Sequence, residues 1–239
     1  MKKIVLLLSA IAFVSFASAQ TSNSLQNKNL VDRASDHFMI QLSSDHWTNE
    51  PDSISGHQKG FSRGLNIYLM FDKPFKTNPK WSVAFGLGIG SSNIFFKQMN
   101  VGITNPGTNL RFDTSGNTFF KKYKLSTSFL EAPVELRFTA HPERESKSLK
   151  FALGAKVGLM LDAHTKGKNE TDKSGTVINA FTQKESKTIY FNTTRLMATG
   201  RIGYGNFSLF GAYQLTSLLK DGAGADMKLL QIGLCISGL

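Results

Sequence analysis

The run Trp81-Ser-Val-Ala-Phe-Gly-Leu-Gly-Ile-Gly90 constrains this chain more than any other stretch. Trp81, Val83, Phe85, Leu87 and Ile89 are large and apolar, whereas Ser82, Ala84, Gly86, Gly88 and Gly90 are small. Side chains of a strand alternate between its two faces, so one face is greasy, the other nearly bare, and neither is charged. A soluble sandwich would turn bulk toward its core and charge toward water. An apolar outside around a crowded interior of small groups suits a strand of a transmembrane β-barrel.

The amino terminus points to export. Lys2 and Lys3 precede an apolar run over 4–16, and Ala17-Ser-Ala19 is an A-x-A cleavage signal ahead of Gln20. This is the pattern of a secretory signal peptide; a membrane anchor would need about 20 apolar residues. The expected organisation is a cleaved signal peptide at 1–19, a flexible periplasmic segment at 20–36 and a single barrel domain at 37–239. The chain has one cysteine, Cys235, which excludes a disulfide framework and a multi-cysteine zinc site. Its formal charge is +11. In an exported chain this points to anionic lipid or polysaccharide, or to scattered charge, and no nucleic-acid partner is expected. No later segment reaches transmembrane-helix length, and only helices and closed barrels satisfy every backbone hydrogen bond in lipid.

Alternation marks eight strands. Phe38, Ile40 and Leu42 share a face of the first, and Leu65, Ile67, Leu69 and Phe71 of the second. The third runs from Trp81 toward Phe96, and the rest cover roughly 123–139, 149–161, 189–203, 207–215 and 227–239. Connections at 72–80, 140–148 and Gly205-Asn206 are short; those at 44–60, 97–122, 162–187 and 217–226 are long. Strict alternation of short turns and long loops is the habit of outer-membrane barrels. Phe71, Phe75, Trp81, Phe138, Tyr204 and Phe207 gather near the short turns, where an aromatic girdle would sit. The fold class is therefore all-β, an eight-stranded antiparallel up-and-down transmembrane barrel in the outer membrane.

Charged residues within the strands decide which face is which. Glu131, Glu135 and Arg137 oppose Leu130, Val134 and Leu136; Lys156 opposes Leu153 and Val157; Arg195 and Arg201 oppose Leu196 and Ile202. A basic side chain on the lipid face costs about 2–4 kcal/mol at the midplane, and four would consume much of a stability of about 5–15 kcal/mol. The six charges should face the lumen, with Gln231 and Thr199 adding hydrogen bonds. Such a lumen could be a polar channel or a structural salt-bridge core. Eight-stranded barrels are usually filled by side chains, which favours the core.

The segment Ser128-Phe-Leu-Glu-Ala-Pro-Val-Glu-Leu-Arg-Phe138 resembles the Tyr-Leu-Glu-Ile-Pro-Leu strand motif of the PorT-like outer-membrane β-barrels of Bacteroidetes. The Gly-rich strand before Gly90 and the final Leu230-Gln-Ile-Gly-Leu-Cys-Ile-Ser-Gly-Leu239 are also similar to that family. Phe129 stands where the family often has Tyr, and Leu239 where many outer-membrane proteins end in an aromatic. The resemblance implies an outer-membrane location. One founding member is associated with secretion of surface proteins, a role the resemblance alone does not transfer.

Enzyme motifs are sparse. None of His37, His46, His57, His141 and His164 forms a His-x-Ser pair on an expected strand. His46 and His57 share the first long connection with Asp45, Glu50 and Asp52, types that can ligate metal but that in a loop are usually solvated. Cys235 has lumen parity and reads as a small buried side chain, and the glycines of the third strand have period two, unlike a phosphate-binding loop. Catalytic residues, cofactors and metals are not expected. The function read here is a non-enzymatic barrel acting through its loops or rim in binding, scaffolding or envelope integrity. Its partners would be outer-membrane lipid and lipopolysaccharide, the barrel-assembly machinery and an envelope protein. The alternatives are a membrane-embedded lipid hydrolase or acyltransferase and a soluble lipocalin-like carrier.

Overall fold

The structure, a computed structural model, describes residues 38–238; the expected signal peptide at 1–19 and segment at 20–36 lie outside them. Eleven strands follow in order: β1 (Phe38–Thr48), β2 (Ser62–Pro74), β3 (Trp81–Phe96), β4 (Asn100–Gly102), β5 (Arg111–Asp113), β6 (Thr118–Thr139), β7 (Leu149–Asp172), β8 (Val177–Ser186), β9 (Thr194–Tyr204), β10 (Phe207–Gln214) and β11 (Lys228–Ser237). Eight of them close a ring in the order β1-β2-β3-β6-β7-β9-β10-β11, with β11 returning antiparallel onto β1. Each ring strand pairs with its neighbours in sequence around the ring, which is the up-and-down meander.

The alternation of bulk and bareness in β3 has a direct cause. A Cβ at Gly88 would overlap the ring of Tyr68 from β2, and one at Gly90 would overlap the carboxylate of Glu131 from β6. Two large lumen side chains thus occupy the room that β3 leaves. Outside, Leu65, Ile67, Phe85, Leu87, Ile89, Val134, Leu153, Val157, Leu209 and Leu234 are exposed in a continuous apolar wall. At the short-turn end Trp81 packs on Phe138 at 5.1 Å and Phe71 on Phe85 at 5.9 Å, while Tyr204 and Phe207 flank a turn whose Gly205 has φ of 60°. Only a residue tolerant of positive φ closes so tight a hairpin.

The long-loop end departs from expectation. The segment 162–187 is no loop: β7 continues to Asp172, turns, and returns as β8, while β6 starts at Thr118 and pairs with β7 along its length. A bulge explains the misreading. Phe129 faces Met160 but Ser128 faces Asp162, so Leu161 is an extra residue and the inward parity of β7 changes from even to odd above it. The connection expected at 44–60 loses its first five residues to β1 and holds a one-turn helix, Asp52–Ser55. The strand expected from 189 begins only at Thr194; Tyr190 and Phe191 are buried among the loops. The connection after β3 carries the small β4–β5 hairpin.

Candidate functional site

Two regions stand out, the charged lumen and the folded loops above it. In the lumen, Glu131 is fully buried at the centre of the first cluster. Arg195 donates to its Oε1 from Nε at 3.0 Å and from Nη2 at 2.7 Å. Lys156 Nζ at 3.2 Å and the Tyr68 hydroxyl at 2.5 Å donate to its Oε2. The Arg195 guanidinium also lies 3.8 Å from the Phe129 ring centroid, a cation–π stack. Lys156 reaches Gln231 Oε1 at 3.3 Å, and Gln231 Nε2 donates to both oxygens of Asp45 at 3.2 Å.

Nearer the short turns Glu135 accepts from Arg137 Nε and Arg201 Nη2, each at 2.9 Å. Arg137 Nη1 lies 4.0 Å from Asp72, and Arg201 donates to Ser237 Oγ at 3.2 Å. The strand parities of the sequence place two carboxylates against four cations in the lumen. Asp45 and Asp72, assigned to connections, are inward residues of β1 and β2, so four carboxylates meet four cations. Gln231 joins the network as expected, whereas Thr199 makes none of these bonds. Cys235 is buried beside Gln41 and Arg201, each 4.0 Å from its Sγ.

Above the charges the loops build an apolar lid. Trp47, Ile54, Phe96, Met99, Ile103 and Phe191 are buried together there with Leu219 and Met227. Backbone and side-chain bonds knit the loops: Leu110 N–H to Ala223 O at 2.8 Å, Asn192 Nδ2 to Ser217 O and Leu219 O at 2.8 Å each, and the Tyr190 hydroxyl to Asn105 O. The lumen is therefore filled by paired charge and capped by packed aromatics.

Beside this lid the extended strands form a wall. Its inner side and the β4–β5 hairpin enclose a cleft of about 720 Å³, with Asn105, Arg111, Asp113, Phe120, Glu170 and Glu185 in its lining. Asp113 accepts the Ser115 hydroxyl at 2.7 Å and the Ser115 N–H at 2.9 Å, which together hold its carboxyl below the ordinary range. The cleft offers charge of both signs and the rings of Phe112, Phe119, Phe120 and Tyr123, the chemistry of recognition, and the Ser115 hydroxyl on Asp113 belongs to a local turn in which the Ser115 N–H binds the same carboxylate oxygen.

The histidines are dispersed. His46 is an outward residue bonded to Ser44 Oγ at 2.9 Å, His57 Nδ1 contacts Lys97 O at 2.9 Å, and His141 sits in a short turn. With Asp45 turned inward, the residues weighed as a first-loop metal set are split between lumen and surface. Among the described residues no group of three His, Cys, Asp or Glu is placed to hold a metal. His164 faces outward and its Nδ1 lies 2.6 Å from Asp162, but the neighbouring Ser186 hydroxyl donates to that same carboxylate at 2.7 Å and not to the ring. An acid and a base are present; an activated hydroxyl is not.

Residues 14–219 match the family model described as outer membrane protein beta-barrel domain. Among curated proteins none matches significantly. Similar solved structures include Ail, the attachment invasion locus protein of Yersinia pestis, in complex with the heparin analogue sucrose octasulfate. It is 15% identical over 84% of this chain and 94% of that one, with a TM-score of 0.36. A second crystal structure of Ail has the same identity and coverage and a TM-score of 0.35. The backbone structure of Ail in a phospholipid bilayer nanodisc matches at 15% identity over 84% and 97% of the two chains, with a TM-score of 0.29.

Proposed function

From a chain that belongs to the outer membrane protein β-barrel domain family, we propose a sealed, non-enzymatic barrel whose working surface is the loop assembly at its long-loop end. The location is the outer membrane, as the family and the apolar outer wall require. The single observation that carries the rest is the filled lumen. Glu131 and Glu135 are buried among Lys156, Arg195, Arg137 and Arg201, and the apolar lid lies above them. Nothing of useful size passes such an interior, so function resides outside it, in the cleft and the wall. The six lumen charges act here as a structural network.

Other roles fit less well. A soluble carrier needs a polar exterior and a ligand cavity, and the ring strands of this chain, between their two rims, turn their charges inward and their leucines outward. A hydrolase needs a hydroxyl facing its base, which the Asp162–His164 pair lacks. The PorT-like assignment rests on the run from Ser128 to Phe138 and, with it, partnership with an envelope protein; insertion would use the barrel-assembly machinery, after removal of residues 1–19.

Two measurements test this reading. In planar bilayers the protein should pass no steady current. In a Cys235→Ser background on intact cells, an impermeant maleimide should label Ser174→Cys at the β7–β8 turn and spare Ser146→Cys in a short turn. Steady large currents would overturn the sealed barrel, and the inverse labelling would overturn the placement of the working surface.

A further inference from the structure

The outer face of the extended wall carries a charge pattern that a free-standing sheet would avoid. Lys124 on β6 is directly opposite Lys166 on β7, which is directly opposite Lys184 on β8; one row higher, Lys122 is opposite Lys168. Directly opposed residues of a sheet point to the same side. Their neighbours Tyr123, Leu125 and Thr165 are buried on the inner side, and Gln183 and Glu185 line the cleft, so all five lysines point outward. Like charges placed directly opposite each other destabilise a sheet.

Among the described residues none of the five has a carboxylate within ion-pair distance. Asp162, on the same face, is within electrostatic reach of Lys184 but forms no ion pair with it, its direct partners being His164 and Ser186. Glu170 and Glu185 are on the cleft side, bonded to Asn179 and to Thr104 and Gln183. Lys124 is also held in place, its Nζ donating to Asn93 Oδ1 at 2.6 Å.

The position of the row selects the counter-ion. Phe95 is directly opposite Lys124, and the Arg63 guanidinium lies 5.0 Å from the Phe61 ring and 5.9 Å from the Phe95 ring. Aromatics mixed with cations mark a membrane interface. Leu161, the last apolar outward residue of β7, precedes Lys166 by five residues, about 17 Å of strand and about 13 Å of height at a barrel tilt of about 40°. The headgroup layer rises about 5–7 Å above the hydrocarbon, and a flexible lysine stem spans the remaining roughly 6 Å by bending back toward it.

We propose that Lys124, Lys166 and Lys184, with Lys122 and Lys168 above them, bind the phosphate groups of a phosphorylated lipid in the outer leaflet. The inference rests on the reading that the long-loop end faces outward. Three ammonium groups about 5 Å apart across neighbouring strands match the several charged oxygens of a phosphomonoester, and a lipid-borne phosphate is delivered to this face by the same bilayer that the apolar wall contacts.

The test uses the mature chain in neutral phosphatidylcholine nanodiscs, with diphosphoryl lipid A and its dephosphorylated form as titrants and bound lipid counted by native mass spectrometry. Each lysine at a membrane surface contributes roughly fivefold in affinity, so three should give a preference on the order of 100-fold for the phosphorylated form. Lys124→Gln/Lys166→Gln/Lys184→Gln should lose that preference, and Lys76→Gln/Lys173→Gln/Lys220→Gln should keep it. Both variants should retain heat-modifiable migration, since the first relieves repulsion and the second removes exposed turn and loop charges. Equal binding of the two lipids, or an undiminished preference in the first variant, overturns the proposal. Displacement by millimolar inorganic phosphate overturns the lipid assignment in favour of a general anion site. Nanodiscs offer lipid to both rims, so this result is independent of the conductance and labelling outcomes.

Discussion

Replacing Glu131 by Gln isolates what the central carboxylate contributes. The side chain keeps its volume, so no cavity is opened and the cavity penalty of a truncation is absent. What changes is charge. Arg195 donates to this carboxylate twice, Lys156 and Tyr68 once each, and all four residues are buried. Breaking a buried ion pair by removing one partner typically costs about 3–5 kcal/mol, because the remaining charge has no solvent to return to. With a urea slope of about 1–3 kcal/mol per molar, the unfolding midpoint in lipid vesicles should fall by roughly 2 M. Two comparisons make the reasoning specific. Adding Lys156→Met to Glu131→Gln removes one of the stranded cations and should recover part of the loss. Glu170→Gln, which alters one bond to Asn179 at the cleft, should shift stability by no more than about 0.5 kcal/mol. An unchanged midpoint in Glu131→Gln, or an equal fall in Glu170→Gln, would refute the structural role of the network.

Two further outcomes are expected. Gly88→Val should cost about 1–3 kcal/mol by overpacking against Tyr68, whereas Gly211→Val, on the lipid face where a Cβ makes only an ordinary 4.0 Å contact with Gln231 O, should be tolerated; urea midpoints of equal size would contradict this. At the β7–β8 turn Asp172 accepts the Ser174 hydroxyl at 2.6 Å and the Thr176 N–H at 2.9 Å, which lower its pKa. Because the folded value lies below the unfolded one of about 3.9, the ionised form supports the turn. That support is complete above the unfolded value and is lost as pH falls through the folded one. Amide protection at Thr176 should persist at pH 5 and decline only in stronger acid, and a decline on raising the pH from 5 to 8 would reverse the assignment.

The membrane half of the barrel was legible in the chain because lipid outside and packed side chains inside impose opposite demands on successive residues. β3 shows this plainly, and so does the single parity shared by Glu131, Glu135 and Arg137. Legibility ended where water replaced lipid. From Thr165 to Asp172 the wall meets polar surroundings on both sides, so β7 carries no apolar alternation there, and the extra residue Leu161 had already reversed its phase. Asp45 was misplaced for a related reason. Ser44 and His46 flank it without bulk, so the upper half of β1 reads as loop although Asp45 is fully buried in the lumen. Tyr190 and Phe191 misled in the opposite direction, since their aromatic character serves the loop lid and not a strand.

The ring is sealed by the two ends of the described chain, β1 zipping to β11, and in that register Asp45 lies directly opposite Gln231. Gln231 is also the residue that Lys156 reaches from the far side. The Asp45–Gln231 contact therefore forms only when the last pair of strands has met in the correct register. A slip of one residue would turn Gln231 toward the bilayer and bring Leu230 or Ile232 into its place, leaving Asp45 without its amide donor and Lys156 with one acceptor fewer. Closure is thus proofread from within: a mis-zipped barrel buries an ill-satisfied ion and opens again more readily than the native one.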